Sequence, residues 1–123
     1  MYSAQLLDHF QNPRNAGEIV DADATAGVEN PVCGDVLHIT LKLSAGKILR
    51  MRFKAKGCVA SIACASALTE LVEGKTIDEA RKLRKEDIVT AVGGLPPASN
   101  HAAQLALDAL SSGLRHIASD LLP

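Results

Sequence analysis

Four side chains of types that bind metals occur in three short motifs of this 123-residue chain. Cys33 and Asp35 flank a glycine, Cys58 follows another glycine, and His101 comes shortly after a Pro-Pro pair. Thiolates, carboxylates and imidazoles are the ligands of Zn²⁺, and thiolates with imidazoles also hold iron–sulfur clusters. Two thiols, one carboxylate and one imidazole would complete a tetrahedral zinc set. The sequence therefore predicts one metal or cluster site, provided that folding brings the three motifs together.

The first motif, Cys33-Gly34-Asp35, comes just before a predicted strand. In an extended segment, residues two apart project to the same side, so the thiol and the carboxylate would face one point. Gly34 would allow another group to approach the backbone closely. Taken alone, the motif fits a buried thiol beside a turn carboxylate equally well.

Cys58 and His101 are both predicted at the beginning of a helix. The first amides of a helix favour a thiolate at Cys58, and the helix dipole disfavours an imidazolium at His101, so both groups would be able to coordinate. The alternatives are a small core residue at a strand–helix corner for Cys58 and a surface histidine near a helix cap for His101.

The remaining cysteine and histidines are interpreted as ordinary structural residues. Cys64 shares a predicted helix face with Leu68 and Leu71, and six helical residues place it about 9 Å along the axis from Cys58, so we predict a core position. The alternative is that Cys64 supplies a ligand to the site. The other histidines are expected to be surface residues: His9, His38 and His116.

Composition excludes several classes of function. With 13 basic and 14 acidic side chains, the chain has no net field to attract nucleic acid or an anionic membrane, and it has few aromatic residues for stacking on bases. No apolar run is long enough to span a bilayer, and no signal segment follows Met1. Three cysteines, an odd number, indicate metal-binding or reactive thiols in a reducing compartment, so a cytoplasmic protein is expected.

The elements that must position the motifs are predicted from periodicity. Apolar and polar residues alternate over 37–43 and over 49–55, which indicates two antiparallel strands joined by a tight turn, and one further strand is possible near Thr25–Glu29. The basic side chains of the second strand are interpreted as a solvated face, with a docking patch for an acidic partner or nucleic acid as the alternative: Arg50, Arg52, Lys54 and Lys56. Helices are predicted over 2–10, 60–72, a short segment after the capping box at Thr76, 85–92, and from residue 99 or 100 to about 119.

These elements predict an α+β domain over residues 1–123. A three-stranded antiparallel sheet would carry the helices on its apolar face, as a two-layer sandwich. The Pro96-Pro97 break would separate the long last helix from the rest, and the beginning of that helix would deliver His101.

Several segments, in their order and spacing, carry a resemblance that covers nearly the whole chain. They are Leu7-Asp8-His9-Phe10-Gln11-Asn12-Pro13-Arg14-Asn15, Asn30-Pro31-Val32-Cys33-Gly34-Asp35, Gly57-Cys58 with Ser61-Ile62-Ala63, Leu68-Thr69-Glu70, and Leu95-Pro96-Pro97 with His101. With them the chain resembles the IscU/NifU-type iron–sulfur scaffold family. The resemblance implies an α+β sandwich on which a [2Fe–2S] cluster is assembled and transferred, or where Zn²⁺ takes its place. Cys33, Cys58 and His101 match the family's ligand positions, and Asp35 matches the carboxylate that keeps the cluster labile or completes a zinc site.

The resemblance also implies partners and exposes two departures. The family's partners are a cysteine desulfurase, acceptor apo-proteins and a chaperone that recognises the Leu-Pro-Pro segment. Ala102 stands where the family has a third ligand cysteine, and Ser99 stands where its chaperone motif has a lysine, so the chaperone is a doubtful partner. We expect a monomer or a weak homo-oligomer.

Three functions are compatible with these residues. The first is a non-enzymatic scaffold or carrier for iron–sulfur clusters. The second is a zinc-binding interaction module that has lost cluster assembly, which Ala102 would explain. The third is a cysteine hydrolase with Cys58 as nucleophile, His101 as base and Asp35 as the orienting group.

Overall fold

The computed structural model describes residues 2–31 and 34–117. In chain order the elements are α1 (Ala4–Gln11), β1 (Ala24–Asn30), β2 (Asp35–Ser44), β3 (Lys47–Lys56), α2 (Val59–Val72), α3 (Ile77–Arg81), α4 (Lys85–Ala91), a 3-10 turn (Pro97–Ser99) and α5 (Asn100–Arg115). The strands form one antiparallel sheet in the order β1-β2-β3. Helix α5 packs against β1 and β2, and α2 packs against β3. The predicted α+β fold with a three-stranded antiparallel sheet is confirmed.

The alternating pattern of β3 is interrupted by a bulge at Leu49. The register passes from Lys42 opposite Arg50 directly to Leu43 opposite Ile48, so Leu49 has no partner across the strand pair. An extra residue shifts the side-chain alternation by one position. As a result Ile48 is fully buried and Leu49 is 54% exposed. The prediction that Leu49 lies on the apolar face was wrong for this reason.

The second face of the sheet is partly covered by the segment that precedes β1. Ile19 is buried, and its amide donates to the Thr40 hydroxyl at 3.1 Å, so Thr40 is buried on the face that was expected to be solvated. The same segment bonds to the outer side of β3, where the Gly17 amide donates to the Phe53 carbonyl at 2.8 Å and the Phe53 amide donates to the Asn15 carbonyl at 3.1 Å. The segment thereby ties the N-terminal part of the chain to the sheet.

Further along β3, the outer side is bonded again at Ile48. Its amide donates to the Lys75 carbonyl at 2.8 Å, and the Gly74 amide donates to the Ile48 carbonyl at 2.8 Å. The predicted capping box follows directly, with the Glu79 amide donating to the Thr76 hydroxyl at 3.0 Å and the Thr76 amide donating to the Glu79 carboxylate at 2.9 Å. Each side chain satisfies an amide that would otherwise be unpaired at the helix end.

The last helix is shorter than its apolar pattern predicts. Helix α5 ends at Arg115, and His116 and Ile117 have already left it, whereas the sequence predicted a helix to about residue 119. Residues 118–123 lie outside the described part of the chain. Among the described ranges 2–31 and 34–117, no helix is both long enough and apolar enough to cross a membrane.

His9 was predicted to lie on the surface, and this was wrong. Helix α1 packs across α2, which buries His9 and places its Nδ1 atom 2.8 Å from the Ser66 hydroxyl oxygen. The same oxygen accepts a hydrogen bond from the Arg14 amide at 2.8 Å, and the Glu70 carboxylate lies 3.6 Å from Nε2 of His9. His38 and His116 are exposed, as the sequence predicted.

Burial makes His9 a source of pH-dependent stability. Desolvation, and to a lesser extent the positive charge of Arg14, lower the pKa of His9 below its ordinary value of 6.5. Between the folded pKa and 6.5 the unfolded chain binds a proton that the folded chain does not, so the free energy of unfolding falls as pH falls through this window. We expect urea unfolding between about pH 8 and pH 5 to show this loss. His9→Gln should flatten the profile and His38→Gln should not, and equal slopes in wild type and His9→Gln would contradict the assignment.

Candidate metal centre

Three of the four predicted site residues come together in the structure. One ligand atom each of Asp35, Cys58 and His101 lies within 4.8 Å of the others, although the residues come from the beginning of β2, the junction between β3 and α2, and the first turn of α5. Cys33, the fourth predicted residue, lies outside the described residues. The antiparallel pairing of β2 with β3 brings Asp35 beside Cys58, and the packing of α5 on the sheet brings His101 to both.

Asp35 is a buried carboxylate, only 2% exposed, that lies against Gly57. The Cys58 amide donates to its Oδ1 atom at 3.2 Å. A Cβ atom at residue 57 would lie 2.3 Å from the same oxygen, which is closer than non-bonded atoms can approach. Gly57 is therefore required by the approach of the Asp35 carboxylate.

Cys58 is the N-cap residue of α2 and is partly exposed. Its sulfur accepts a hydrogen bond from the Ser61 amide at 3.4 Å, so the prediction that helix amides lie near the sulfur is confirmed. The thiol lies 3.7 Å from Oδ2 of Asp35, to which it donates. Cys58 thus presents its sulfur beside a carboxylate at a helix N-terminus, an arrangement in which a metal could be bound by both groups.

His101 contributes the most direct indication of a ligand. Its Nε2 atom is buried and has no hydrogen-bond partner among the described residues, even though it lies 3.5 Å from Oδ2 of Asp35. Buried polar atoms are nearly always paired, because an unpaired one has lost its hydrogen bonds to water without compensation. A metal ion between the imidazole, the carboxylate and the thiolate would supply the missing partner. The donor set of nitrogen, oxygen and sulfur fits zinc and iron alike.

Ser61 belongs to the same cluster and was not predicted as a site residue. Its hydroxyl donates to Oδ2 of Asp35 at 2.8 Å and lies 3.2 Å from the Cys58 sulfur. The sequence could have indicated this role through the spacing of Ser61 from Cys58, because the third residue of a helix lies beside the N-cap side chain.

Gly34 has a backbone conformation that favours glycine. Its φ is +74°, in the left-handed region that glycine adopts without strain, and among the described residues no atom lies within 4 Å of a Cβ built there. Its amide donates to the Asn30 carbonyl at 2.7 Å. Gly34 therefore supplies a left-handed backbone conformation directly before β2, and the space beside it is open toward the described residues.

Cys64 and Ala102 lie in the core. Both are fully buried, and burial, with a smaller effect from nearby Cys58, raises the pKa of the Cys64 thiol to about 12. Among the described residues the ligand atoms that come together are those of Asp35, Cys58 and His101, and the prediction that Cys64 is a core residue is confirmed by its burial. The position at which the resembled family has its third ligand cysteine is filled by the small Ala102 side chain.

The arrangement of the three site residues disfavours the hydrolase interpretation. In a catalytic triad the imidazole lies between the nucleophile and the carboxylate. Here the carboxylate of Asp35 is the group that contacts both the Cys58 sulfur and the His101 ring. The histidine is therefore not placed to take the proton of the thiol.

The fold and this site place the chain in a known class of proteins. The family described as NifU-like N terminal domain matches residues 1–119, and the chain belongs to this family. It is 48% identical over 110 residues to iron–sulfur cluster assembly scaffold protein IscU 1 of Archaeoglobus fulgidus, with 89% of this chain and 72% of that protein covered. It is 39% identical over 117 residues to the IscU scaffold protein of Escherichia coli, with 92% and 91% covered.

The comparison with solved structures gives the same fold. The N-terminal domain of a NifU-like protein from Brucella abortus superposes with a TM-score of 0.77 at 23% identity, covering 94% of this chain and 92% of that one. At this identity the similarity concerns the fold alone. The antiparallel sheet with its packed helices is thus the architecture that a solved member of the class shares.

Proposed function

We propose that this protein is an iron–sulfur cluster assembly scaffold or carrier that holds a cluster as cargo and passes it to acceptor proteins. The observation that carries the proposal is the unpaired, buried Nε2 atom of His101 facing the carboxylate of Asp35 beside the Cys58 thiol. The chain's membership of the NifU-like family and the names of its relatives as IscU scaffold proteins support it. Those names do not favour the alternative of a zinc module without assembly function.

We assign the cargo to four side chains. Cys33, Cys58 and His101 would bind a [2Fe–2S] cluster, and Asp35 would supply the fourth ligand in place of the thiolate that Ala102 cannot offer. Iron(III) in such a cluster binds thiolates strongly, and a single carboxylate gives a ligand that is more easily exchanged. Such a mixed set suits a cluster that must leave again. The same four side chains would bind Zn²⁺ as an alternative occupant.

The proposed partners follow from this role. A cysteine desulfurase would supply sulfur, and apo-proteins would receive the cluster. We do not include the chaperone, because Ser99 replaces the lysine of its motif and is buried.

The protein would act as one domain over residues 1–123, as a monomer or weak homo-oligomer, by holding cargo and not by catalytic turnover. Free thiols at Cys58 and Cys64 suit a reducing compartment, for which we propose the cytoplasm.

Anaerobic reconstitution tests the proposal. Ferric iron and sulfide, supplied in equal amounts, contain the ions of an oxidised [2Fe–2S] cluster, so no redox step is needed. We expect the purified protein to develop sulfur-to-iron charge-transfer absorption in the visible range and to lose it when an apo-ferredoxin is added, as the ferredoxin gains its own spectrum. A protein that stays colourless, or that retains only zinc after this treatment, would contradict the scaffold function.

A further inference from the structure

We propose that Ser61 is a positioning residue of the metal site, whose hydroxyl orients the Asp35 carboxylate and is shared with the Cys58 sulfur. The inference rests on the metal-binding role proposed above. In this role the Ser61 side chain controls how strongly the Asp35 carboxylate binds a metal, in addition to forming part of the first turn of α2.

The contacts of Ser61 define this role. The side chain is only 4% exposed, and its hydroxyl lies 2.8 Å from Oδ2 of Asp35 and 3.2 Å from the sulfur of Cys58. A serine hydroxyl has one proton, so it can donate to only one of these two acceptors at a time. Its backbone amide is already used, since it donates to the same sulfur at 3.4 Å. Ser61 is therefore placed as an adjustable donor between two proposed ligands.

The orientation of Asp35 determines what happens when the Ser61 hydroxyl changes its acceptor from the carboxylate to the sulfur. Oδ1 is held by the Cys58 amide at 3.2 Å, which leaves Oδ2 as the oxygen that faces both the sulfur and the imidazole of His101. The Ser61 hydroxyl donates a hydrogen bond to this Oδ2 atom. When Oδ2 is engaged by a metal, the hydroxyl can turn to the sulfur 3.2 Å away, so its proton is not left without an acceptor.

The hydroxyl favours the metal-bound state in two ways. Before binding it holds the carboxylate in the orientation that a metal would meet, and after binding it can donate to the Cys58 thiolate and stabilise its charge. Without the hydroxyl, Asp35 keeps only its contact through Oδ1, and a bound thiolate keeps only the amide contact of residue 61. Ser61→Ala should therefore weaken metal binding and strengthen electron donation from the sulfur.

Cobalt(II) is the probe that measures both effects in one titration. Its charge-transfer band with thiolate reports electron donation from the ligand sulfurs, of which Cys58 is the one that Ser61 contacts, and the titration gives the affinity. For Ser61→Ala we expect the affinity to fall about 10- to 100-fold and the band to move to longer wavelength. Ser61→Thr keeps the hydroxyl and should restore both. The matched control is Ser66→Ala, which removes a buried hydroxyl of the same helix that contacts His9 and Arg14, and both readouts should stay at wild-type values.

Each outcome of the titration decides a separate point. Wild-type affinity and wild-type band position in Ser61→Ala would overturn the inference, and an equal change in Ser66→Ala would overturn it as well, because it would reflect damage to α2. A wild-type protein without a thiolate–cobalt band would overturn the proposed function together with the inference. If circular dichroism shows that Ser61→Ala is unfolded, Ser61→Thr and Ser61→Val decide, because they have the same shape and differ in the hydroxyl.

Discussion

Replacing Cys58 by serine is expected to abolish the visible absorption of the reconstituted protein. Cys58 offers the sulfur that lies beside the Asp35 carboxylate in the described cluster, and a serine oxygen stays protonated near neutral pH and binds iron or zinc poorly. Serine is also a favourable N-cap residue, so α2 should begin at the same place and the fold should be retained. Absorption after anaerobic reconstitution, compared with circular dichroism of the same sample, measures the ligand role separately from folding.

The control for this substitution is Cys64→Ala. Cys64 is fully buried in the core, and its removal leaves only a small cavity, so some stability is lost while the cluster absorption should remain. A Cys58→Ser protein that develops the wild-type spectrum would refute the ligand assignment. Loss of the spectrum in Cys64→Ala alone would transfer the ligand role to the core thiol, against the burial and raised pKa of Cys64.

Gly57→Ala is expected to damage both the site and the fold. The new Cβ atom would lie 2.3 Å from Oδ1 and 2.7 Å from Cγ of Asp35, a buried carboxylate whose two oxygens both accept hydrogen bonds that a shift would disturb. Displacing packed groups in this way costs about 1–3 kcal/mol. Urea unfolding should show this loss of free energy, and cobalt titration should show loss of the thiolate band, because Asp35 and Cys58 shift relative to each other.

Gly74→Ala provides the comparison. Gly74 lies just beyond the other end of α2, with φ of +86° and no described atom within 4 Å of a built Cβ. Alanine there should cost about 1–2 kcal/mol of backbone strain and leave the cobalt spectrum unchanged. If Gly57→Ala loses stability to a similar degree but retains the wild-type spectrum, the close approach of Asp35 to residue 57 is not what maintains the site.

Local periodicity was sufficient to predict the elements that carry the site. Alternation predicted β2 and β3, the change to a helical period predicted α2, and the Pro-Pro break predicted that α5 would begin near His101. The predicted juxtaposition of Asp35, Cys58 and His101 could be reached because each residue is close to an element end, and antiparallel pairing fixes which ends meet.

What the sequence could not show depends on contacts between distant segments. The bulge at Leu49 is fixed by the pairing of β3 with β2, and nothing in the alternation over 49–55 marks it. The burial of His9 depends on how α1 lies across α2. The role of Ser61 and the requirement for glycine at residue 57 arise only because the Asp35 carboxylate comes to rest between them.

The bonds along the outer side of β3 also bear on how the protein avoids associating with itself. Strands of high β propensity at the edge of a sheet can act as templates for incoming chains and so begin aggregation. At Phe53 and Ile48 the edge groups are already bonded to Asn15, Gly17, Gly74 and Lys75 of the same chain. Two intramolecular straps therefore close this edge at those two points, where an incoming strand finds no free backbone group to pair with.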